Sequence, residues 1–204
     1  MRSIERNIAM NEPDLGHDKP YSYADYLNWS AEERAELVEG KVMPMGPIPN
    51  SSHEQLAADI FGILQQFLEN TPCRAFAAPF VVRLPHHSGK DEDITTVVQP
   101  DICVVCDPSK LDDRGAIGAP DIVIEVLSPG NNEKDLRTKR KAYEHAGVKE
   151  YWVFSPQNYY FLRHVLENGR YRVASRLMTI GDIVTTPVLP GFELDLSDVF
   201  KEED

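Results

Sequence analysis

The chain has 204 residues, of which 42% are hydrophobic and 26% charged, as is usual for a soluble globular domain with a sizeable core. Its apolar runs are too short to cross a bilayer, and its first 20 residues lack the apolar segment of a signal peptide, so we expect neither a membrane span nor secretion. The net charge of −12 argues against non-specific coating of nucleic acid, because proteins that do this carry a basic excess.

We interpret residues 1–20 as a flexible leader and residues 21–204 as one folded domain. Three cysteines, an odd number, argue against a disulfide framework and favour a reducing, cytoplasmic compartment. Cys103 and Cys106 lie on a predicted strand, where their spacing sends them to opposite faces, so we expect core residues and no zinc site.

The first elements of the predicted domain are short helices. Residues 21–29 predict one helix, with Ser22 as its N-cap. Ser30 and Glu33 have the spacing of a capping box and predict that a second short helix begins there.

A hairpin and a long helix follow. Residues 36–45 alternate in polarity around Gly40, which predicts two strands joined by a turn. Residues 50–52 are suitable helix caps, and the apolar residues after them recur at helical spacing, so an amphipathic helix is expected through Asn70.

The rest of the chain predicts strands around one further helix. Strands are expected over 76–84, 95–105, 121–127, 150–154, 159–166 and 171–177. The helix runs from about Asn132 to Ala146 and ends at Gly147, and the C-terminal segment is expected to cover the sheet. One mixed sheet flanked by helices is the simplest architecture for this order of elements.

Glu125 is the first candidate for chemistry, because it lies in the least polar predicted strand. An unpaired carboxylate buried there would cost several kcal/mol. Alternation places it on the same face as Asp121 and Val123. The charge therefore requires a partner, in either a functional site or a structural salt bridge.

Asp101 opens the preceding predicted strand, and neighbouring strands in sequence are usually neighbours in space. It could therefore approach Glu125, or it could simply cap a turn after Pro100. Two converging carboxylates repel each other unless a cation or a proton lies between them. Mg²⁺ suits such a pair, because it binds one or two carboxylates and leaves its other positions to water and phosphate.

Lys139 supplies a third candidate from the predicted helix. At 100° per residue it falls on the inner arc with Tyr143 and Ala146, whereas Lys141 points away. A lysine on the inner face needs an anionic partner unless its ammonium group extends to solvent. Two acids and a lysine together could hold a metal, activate water and neutralise a pentavalent phosphate.

Several segments of the chain resemble one known family. PDICVV, APDIVIEVLSP and DLRTKRKAYEHAGVKEYWVF are similar to the signature of the Uma family of restriction endonucleases, once a domain of unknown function, within the PD-(D/E)xK nuclease superfamily. AELVEGKVMPM and LPGFELDLSDVF are similar to its first and last portions. The resemblance covers roughly residues 21–200 and implies an α/β (mixed-sheet α+β) restriction-endonuclease-like core, with a central mixed sheet flanked by helices.

The resemblance also implies a metal-dependent nuclease site. The aspartate of the superfamily matches Asp101 and its second acid matches Glu125. The lysine expected two residues later is Leu127, which cannot replace it, and in the Uma family the lysine position matches Lys139 on the next helix.

Two further family positions fall on Glu36 and His53. Glu36 would extend the hydrogen-bonded shell of the metal, and His53 would bind phosphate or position water. Glu36 could equally be an ordinary hairpin residue, and His53 could equally be a surface histidine at the start of a helix.

A basic segment beside the predicted site could contact nucleic acid through Lys134, Arg137 and Arg140. We expect DNA as the partner and no membrane, and the family implies a possible homodimer that cuts both strands.

Three functions are open. The first is an Mg²⁺- or Mn²⁺-dependent DNA endonuclease that uses Asp101, Glu125 and Lys139. The second is an inactive or weakly active module of the same fold that binds nucleic acid or a protein, which the acidity of the chain favours. The third, ranked last, is a hydrolase of small phosphate esters.

Overall fold

The structure is a computed structural model that describes residues 20–29, 35–45, 49–87, 89–128, 133–174 and 176–201. Its helices are α1 (Tyr23–Tyr26), α2 (Ser51–Leu68), α3 (Glu133–Ala146) and α4 (Leu196–Val199). Its strands are β1 (Ala35–Val38), β2 (Lys41–Pro44), β3 (Arg74–Ala77), β4 (Val82–Arg83), β5 (Val97–Val98), β6 (Ile102–Val105), β7 (Leu111–Asp112), β8 (Gly115–Ile117), β9 (Ile122–Val126), β10 (Glu150–Ser155), β11 (Tyr160–Glu167), β12 (Arg170–Val173), β13 (Met178–Thr179), β14 (Ile183–Thr186) and β15 (Leu189–Asp195). Among these helices, none has the length and apolarity to span a bilayer.

A central mixed sheet organises the domain. Its strands follow the order β12-β11-β10-β9-β6-β3, and β13 pairs with β11. The pair β9–β10 is parallel, and the other pairs are antiparallel. Because parallel neighbours need a long connection, α3 lies between β9 and β10 in the chain.

The two faces of this sheet have separate cores. On one face, Ile122 and Ile124 of β9 pack in a cluster with α2, the β14–β15 ribbon and α4. On the other face, Val123 packs with Tyr143 of α3. The alternation predicted for β9 is therefore confirmed, and Glu125 lies on the α3 face.

A second sheet, of order β2-β1-β5-β4-β8-β7, begins with the predicted hairpin. Its turn residues Glu39 and Gly40 have φ values of 51° and 74°, the left-handed conformation that a two-residue hairpin turn requires. A side chain at position 40 would also collide with Pro20. The predicted hairpin is confirmed, and it presents β1 towards α3.

The caps and ends of the predicted helices also agree with the structure. Ser22 and Asp25 form a capping box at the start of α1, and the Asn50 side chain accepts a hydrogen bond from the His53 amide at the start of α2. Helix α3 ends before Gly147, as expected. The predicted helix start at Ser30 lies outside the described residues.

Two predicted strands are wrong as single strands. The segment 76–84 divides into the end of β3 and β4, and the segment 95–105 divides into β5 and β6, so that each pair of pieces belongs to two different sheets. Pro79 and Pro100 lie at these breaks, and proline has no amide hydrogen to donate to a sheet. The expected single sheet is therefore a central sheet, a second sheet and a two-stranded ribbon.

The expectation that the cysteines form no disulfide is also wrong. The register that pairs Arg74 with Val105 brings Cys73 beside Cys106, and these two residues are disulfide-bonded. Cys103 is free and buried, as predicted. The disulfide joins the edge strand β3 to β6, and the Gln65 side-chain amide donates a hydrogen bond of 2.9 Å to the carbonyl of Ala75 on that edge strand.

The disulfide should stabilise the fold. The double variant Cys73→Ser/Cys106→Ser should lose about 2–4 kcal/mol of unfolding free energy, the usual effect of such a cross-link. Denaturant unfolding with and without reductant measures this loss, and the double variant should not respond to the reductant. A wild-type midpoint that is unchanged by reductant would contradict the assignment.

Candidate functional site

The candidate site lies where β9 ends and β6 begins, between the two large helices. Strand β9 supplies Glu125, the residue before β6 is Asp101, and β1 of the second sheet supplies Glu36. Helix α3 contributes Lys139 from one face of the central sheet, and the first turn of α2 contributes His53 from the other. The structure thus brings together all five side chains proposed from the sequence as catalytic.

Asp101 and Glu125 are neighbours across two strands. The antiparallel register pairs Ile102 with Ile124, and one step further along this register Asp101 lies opposite Glu125. The Oδ2 atom of Asp101 accepts a hydrogen bond of 2.7 Å from the amide of Val126, which holds its carboxylate against the end of β9.

Lys139 lies on the inner face of α3, as its helical position predicts. Its Nζ is 2.6 Å from Oε1 of Glu125 and 3.0 Å from Oε1 of Glu36. All three residues are at least nine-tenths buried. The lysine therefore forms a buried bridge between two carboxylates, and its ammonium does not extend to solvent.

Glu36 is not an ordinary hairpin residue. Its Oε1 accepts a hydrogen bond of 2.7 Å from the amide of Gln99, and the Gln99 side chain in turn donates one of 2.8 Å to the hydroxyl of Tyr26. These bonds connect the second sheet to the candidate site. They also fix the carboxylate that orients Lys139.

His53 is not a surface residue, since it is only 4% exposed. Its Nε2 is 3.4 Å from Oδ2 of Asp101. Burial lowers the pKa of His53, but the hydrogen bond and the charge of Asp101 outweigh this effect and raise the pKa above its ordinary value. The imidazole therefore supports Asp101 from the α2 side of the sheet.

The site carries more negative than positive charge. Two carboxylates, those of Glu36 and Glu125, contact the ammonium of Lys139, and the charge of a third, Asp101, acts on Glu125. Burial raises the pKa of Glu125 to about 7, because the attraction of Lys139 is opposed by the charges of Asp101 and Glu36. Burial lowers the pKa of Lys139, but the charges of Glu125 and Glu36 outweigh this effect and raise the pKa above its ordinary value. Such an excess of negative charge favours an additional cation or proton.

The oxygen atoms of the site fit a hard divalent cation. Within the described part of the chain, the hydrogen bonds and ion pairs of Asp101 use Oδ2, and those of Glu125 use Oε1. One oxygen of each carboxylate is therefore left for another ligand. No group of three or more His, Cys, Asp or Glu residues in the described ranges is arranged as a metal site. A magnesium ion held by this pair of carboxylates would therefore take its other ligands from water and phosphate.

Two other basic residues of α3, Arg137 and Arg140, lie outside this cluster. Arg137 is exposed and Arg140 is partly exposed, and Arg140 lies close enough to His164 and Glu144 to influence their pKa values. The side chain of Lys134 lies outside the described residues. Arg137 and Arg140 therefore belong to the outer surface of α3.

Asp121, which shares the strand face of Glu125, has a structural role instead. It accepts hydrogen bonds from the Cys106 amide at 2.7 Å and from Lys149 at 2.6 Å. It therefore fixes the start of β9, as expected for a residue at the end of a strand.

One side chain of the site was missed in the sequence. The hydroxyl of Tyr143 donates a hydrogen bond of 2.8 Å to Oε1 of Glu125. The sequence places Tyr143 on the inner arc of α3, but an aromatic residue there is also what a core requires. Its spacing of four residues from Lys139 is the signal that could have identified it.

Comparison with known proteins found similarity in sequence and in fold. A family model named Uma2 and described as "Putative restriction endonuclease" matches residues 23–197. A crystal structure of "a putative nuclease belonging to DUF820" from Anabaena variabilis ATCC 29413 is similar with a TM-score of 0.67 and 20% identity, over 89% of this chain and 98% of that one. No curated protein matches. The expected α/β nuclease-like fold is confirmed.

The raised pKa of Glu125 should be visible in the stability of the metal-free protein. The native pKa of about 7 exceeds the ordinary 4.5, so the native state binds this proton more tightly than the unfolded chain does. The resulting stabilisation is complete below the unfolded pKa and is lost as the pH rises through the native pKa. The unfolding free energy of the wild type should therefore fall relative to that of Glu125→Gln between about pH 5 and about pH 8. A relative gain over this range in denaturant titrations would contradict the assignment.

Proposed function

We propose a function from one premise: this chain belongs to the Uma2 family, which is described as "Putative restriction endonuclease". The family inferred from the sequence motifs is thereby confirmed. Membership and the nuclease-like fold support a nuclease, an enzyme that hydrolyses the phosphodiester bonds of nucleic acid.

The specific proposal is a divalent-metal-dependent DNA endonuclease. Asp101 and Glu125 would hold Mg²⁺ or Mn²⁺, and Lys139 would act beside it. The observation that carries this proposal is the buried cluster itself, with Asp101 opposite Glu125 and the Lys139 ammonium 2.6 Å from Glu125. A structural salt bridge would need only one acid for one lysine, whereas this cluster places two acids against Lys139 and a third, Asp101, opposite Glu125.

Each side chain of the site would then have its own role in the proposed reaction. A divalent cation in such a site polarises the phosphate and lowers the pKa of water. Lys139 offers a fixed positive charge to the negative charge that develops on the phosphate during attack. Glu36 keeps the ammonium in place through its own ion pair of 3.0 Å. His53 holds Asp101 from the other face and, when protonated, can donate to a phosphate oxygen.

The substrate would reach the site along the outer surface of α3. Arg137 and Arg140 are available there for phosphate contacts, with Lys134 as a further candidate. Because the whole chain has a net charge of −12, we expect weak binding that depends strongly on salt. A homodimer that cuts both strands remains a prediction, as does a cytoplasmic location.

One observation favours the second candidate, an inactive module of the same fold. Lys139 already neutralises part of the charge of Glu125 and Glu36, so the cluster can be folded and stable without a metal. Such a module would bind nucleic acid or a protein without cutting it. Metal binding separates the two functions.

Plasmid nicking tests the catalytic assignment. Purified protein with Mn²⁺ should convert supercoiled DNA to the open circle, and Glu125→Ala or Lys139→Ala should lower the rate at least about 100-fold, the usual loss when one stabilising group is removed. Lys141→Ala is the matched control, since Lys141 is an exposed lysine on the same helix, and it should retain activity. Equal rates in the wild type and both site variants would rule the assignment out.

Calorimetry with Mn²⁺ tests the metal ligands. The wild type should bind the ion, and Asp101→Ala should abolish binding because it removes one of the two carboxylates proposed as ligands. Asp113→Ala, a change at an exposed aspartate, should bind like the wild type. A wild type that binds DNA but no Mn²⁺ would support the inactive module instead.

A further inference from the structure

One oxygen of Glu125 receives two donors from the same helix. Lys139 approaches Oε1 at 2.6 Å and the hydroxyl of Tyr143 at 2.8 Å. The two donors are four residues apart, which places them one turn apart on the same face of α3. A single helical turn therefore determines how this carboxylate is held.

The two donors constrain the carboxylate differently. An ammonium group has three donor hydrogens on a flexible stem and can pair with either oxygen of a carboxylate. A tyrosine has one hydroxyl on a rigid ring. The ring of Tyr143 is completely buried, and its centroid is 5.3 Å from that of Tyr151. The rigid tyrosine therefore selects one oxygen more strictly than the ammonium does.

We propose that Tyr143 is the positioning residue of the metal site, which holds Oε1 of Glu125 towards α3 and so leaves Oε2 for the cation. This inference rests on the proposed function. Within the described residues, the hydrogen bonds and ion pairs of Glu125 all use Oε1, which is the arrangement that this role requires. Without the Tyr143 hydroxyl, either oxygen of Glu125 could pair with Lys139. The Glu125 carboxylate would then bind the cation less tightly.

Tyr151 provides a matched control in the same aromatic cluster. Its ring is as deeply buried as that of Tyr143 and stacks on His164 at 5.7 Å. Its hydroxyl is buried and makes no hydrogen bond in the described structure. Tyr151→Phe therefore removes a hydroxyl from the same buried aromatic cluster and leaves the hydrogen bond between Tyr143 and Glu125 in place.

The test compares Mn²⁺ affinity and plasmid nicking in the wild type, Tyr143→Phe and Tyr151→Phe. Tyr143→Phe should weaken Mn²⁺ binding about 10- to 100-fold, as expected when a group that orients a metal ligand is lost. It should lower kcat at a fixed Mn²⁺ concentration with little change in the KM for DNA, because the DNA surface is intact. Tyr151→Phe should match the wild type in both. Wild-type affinity in Tyr143→Phe would overturn the proposal.

A second pair of variants covers the case in which Tyr143→Phe does not fold. Position 143 would carry 4-aminophenylalanine, which keeps a donor, or 4-methylphenylalanine, which has a similar size but no donor. Restored Mn²⁺ affinity with the amino group alone supports the positioning role, and equal affinities refute it.

Failure of the proposed function can be told apart from failure of this inference. If the wild type binds no Mn²⁺, the metal-dependent function fails, and crystal structures of the metal-free wild type and Tyr143→Phe then decide the question. A Glu125 carboxylate that turns only in the variant supports the positioning role. An unchanged carboxylate overturns it.

Discussion

The charge of Glu125 is the constraint on which the rest of the site depends. The strand around it is apolar on both faces, so the carboxylate must be compensated inside the protein, at a desolvation penalty of several kcal/mol if it is not. The register of the sheet adds a second negative charge, because it places Asp101 opposite Glu125. Lys139 restores part of the balance, and Glu36 and Tyr143 hold the arrangement together. A fold that was selected for stability alone could replace the whole ionic cluster with well-packed apolar residues at little or no cost in free energy.

The topology explains why these groups can meet. The parallel pair β9–β10 requires a connection that crosses one face of the sheet, and α3 is that connection. The helix therefore passes over the strand that precedes it and returns Lys139 to Glu125. Helix α2 covers the opposite face, but its first turn reaches the start of β6, where His53 meets Asp101. The site thus receives side chains from both layers at one end of the strands.

Local patterns predicted much of this arrangement, and long-range pairing explains what they missed. Strand alternation predicted the sheet face on which Glu125 lies, and helical spacing predicted that Lys139 points inward. Both patterns could be used because each depends only on a few neighbouring residues. The bond from the Gln99 amide to Glu36 depends on how the second sheet meets the first. The disulfide likewise depends on the pairing of β3 with β6, which no local pattern in the cysteines encodes. The sequence placed Tyr143 on the inner face of α3. Without knowledge of its partner Glu125, it could not be distinguished from an ordinary aromatic residue of the core.

The amide of Gln65 on the carbonyl of Ala75 has a consequence for assembly. Strand β3 is the last strand of the central sheet, and an uncovered last strand is a template on which a second chain can add its own. The Gln65 side chain of α2 occupies the carbonyl of Ala75, which is one of the acceptors that such an addition would use. A second copy is therefore discouraged from adding a strand at this edge of the central sheet. A homodimer that served the two strands of a duplex would associate through a surface other than the β3 edge.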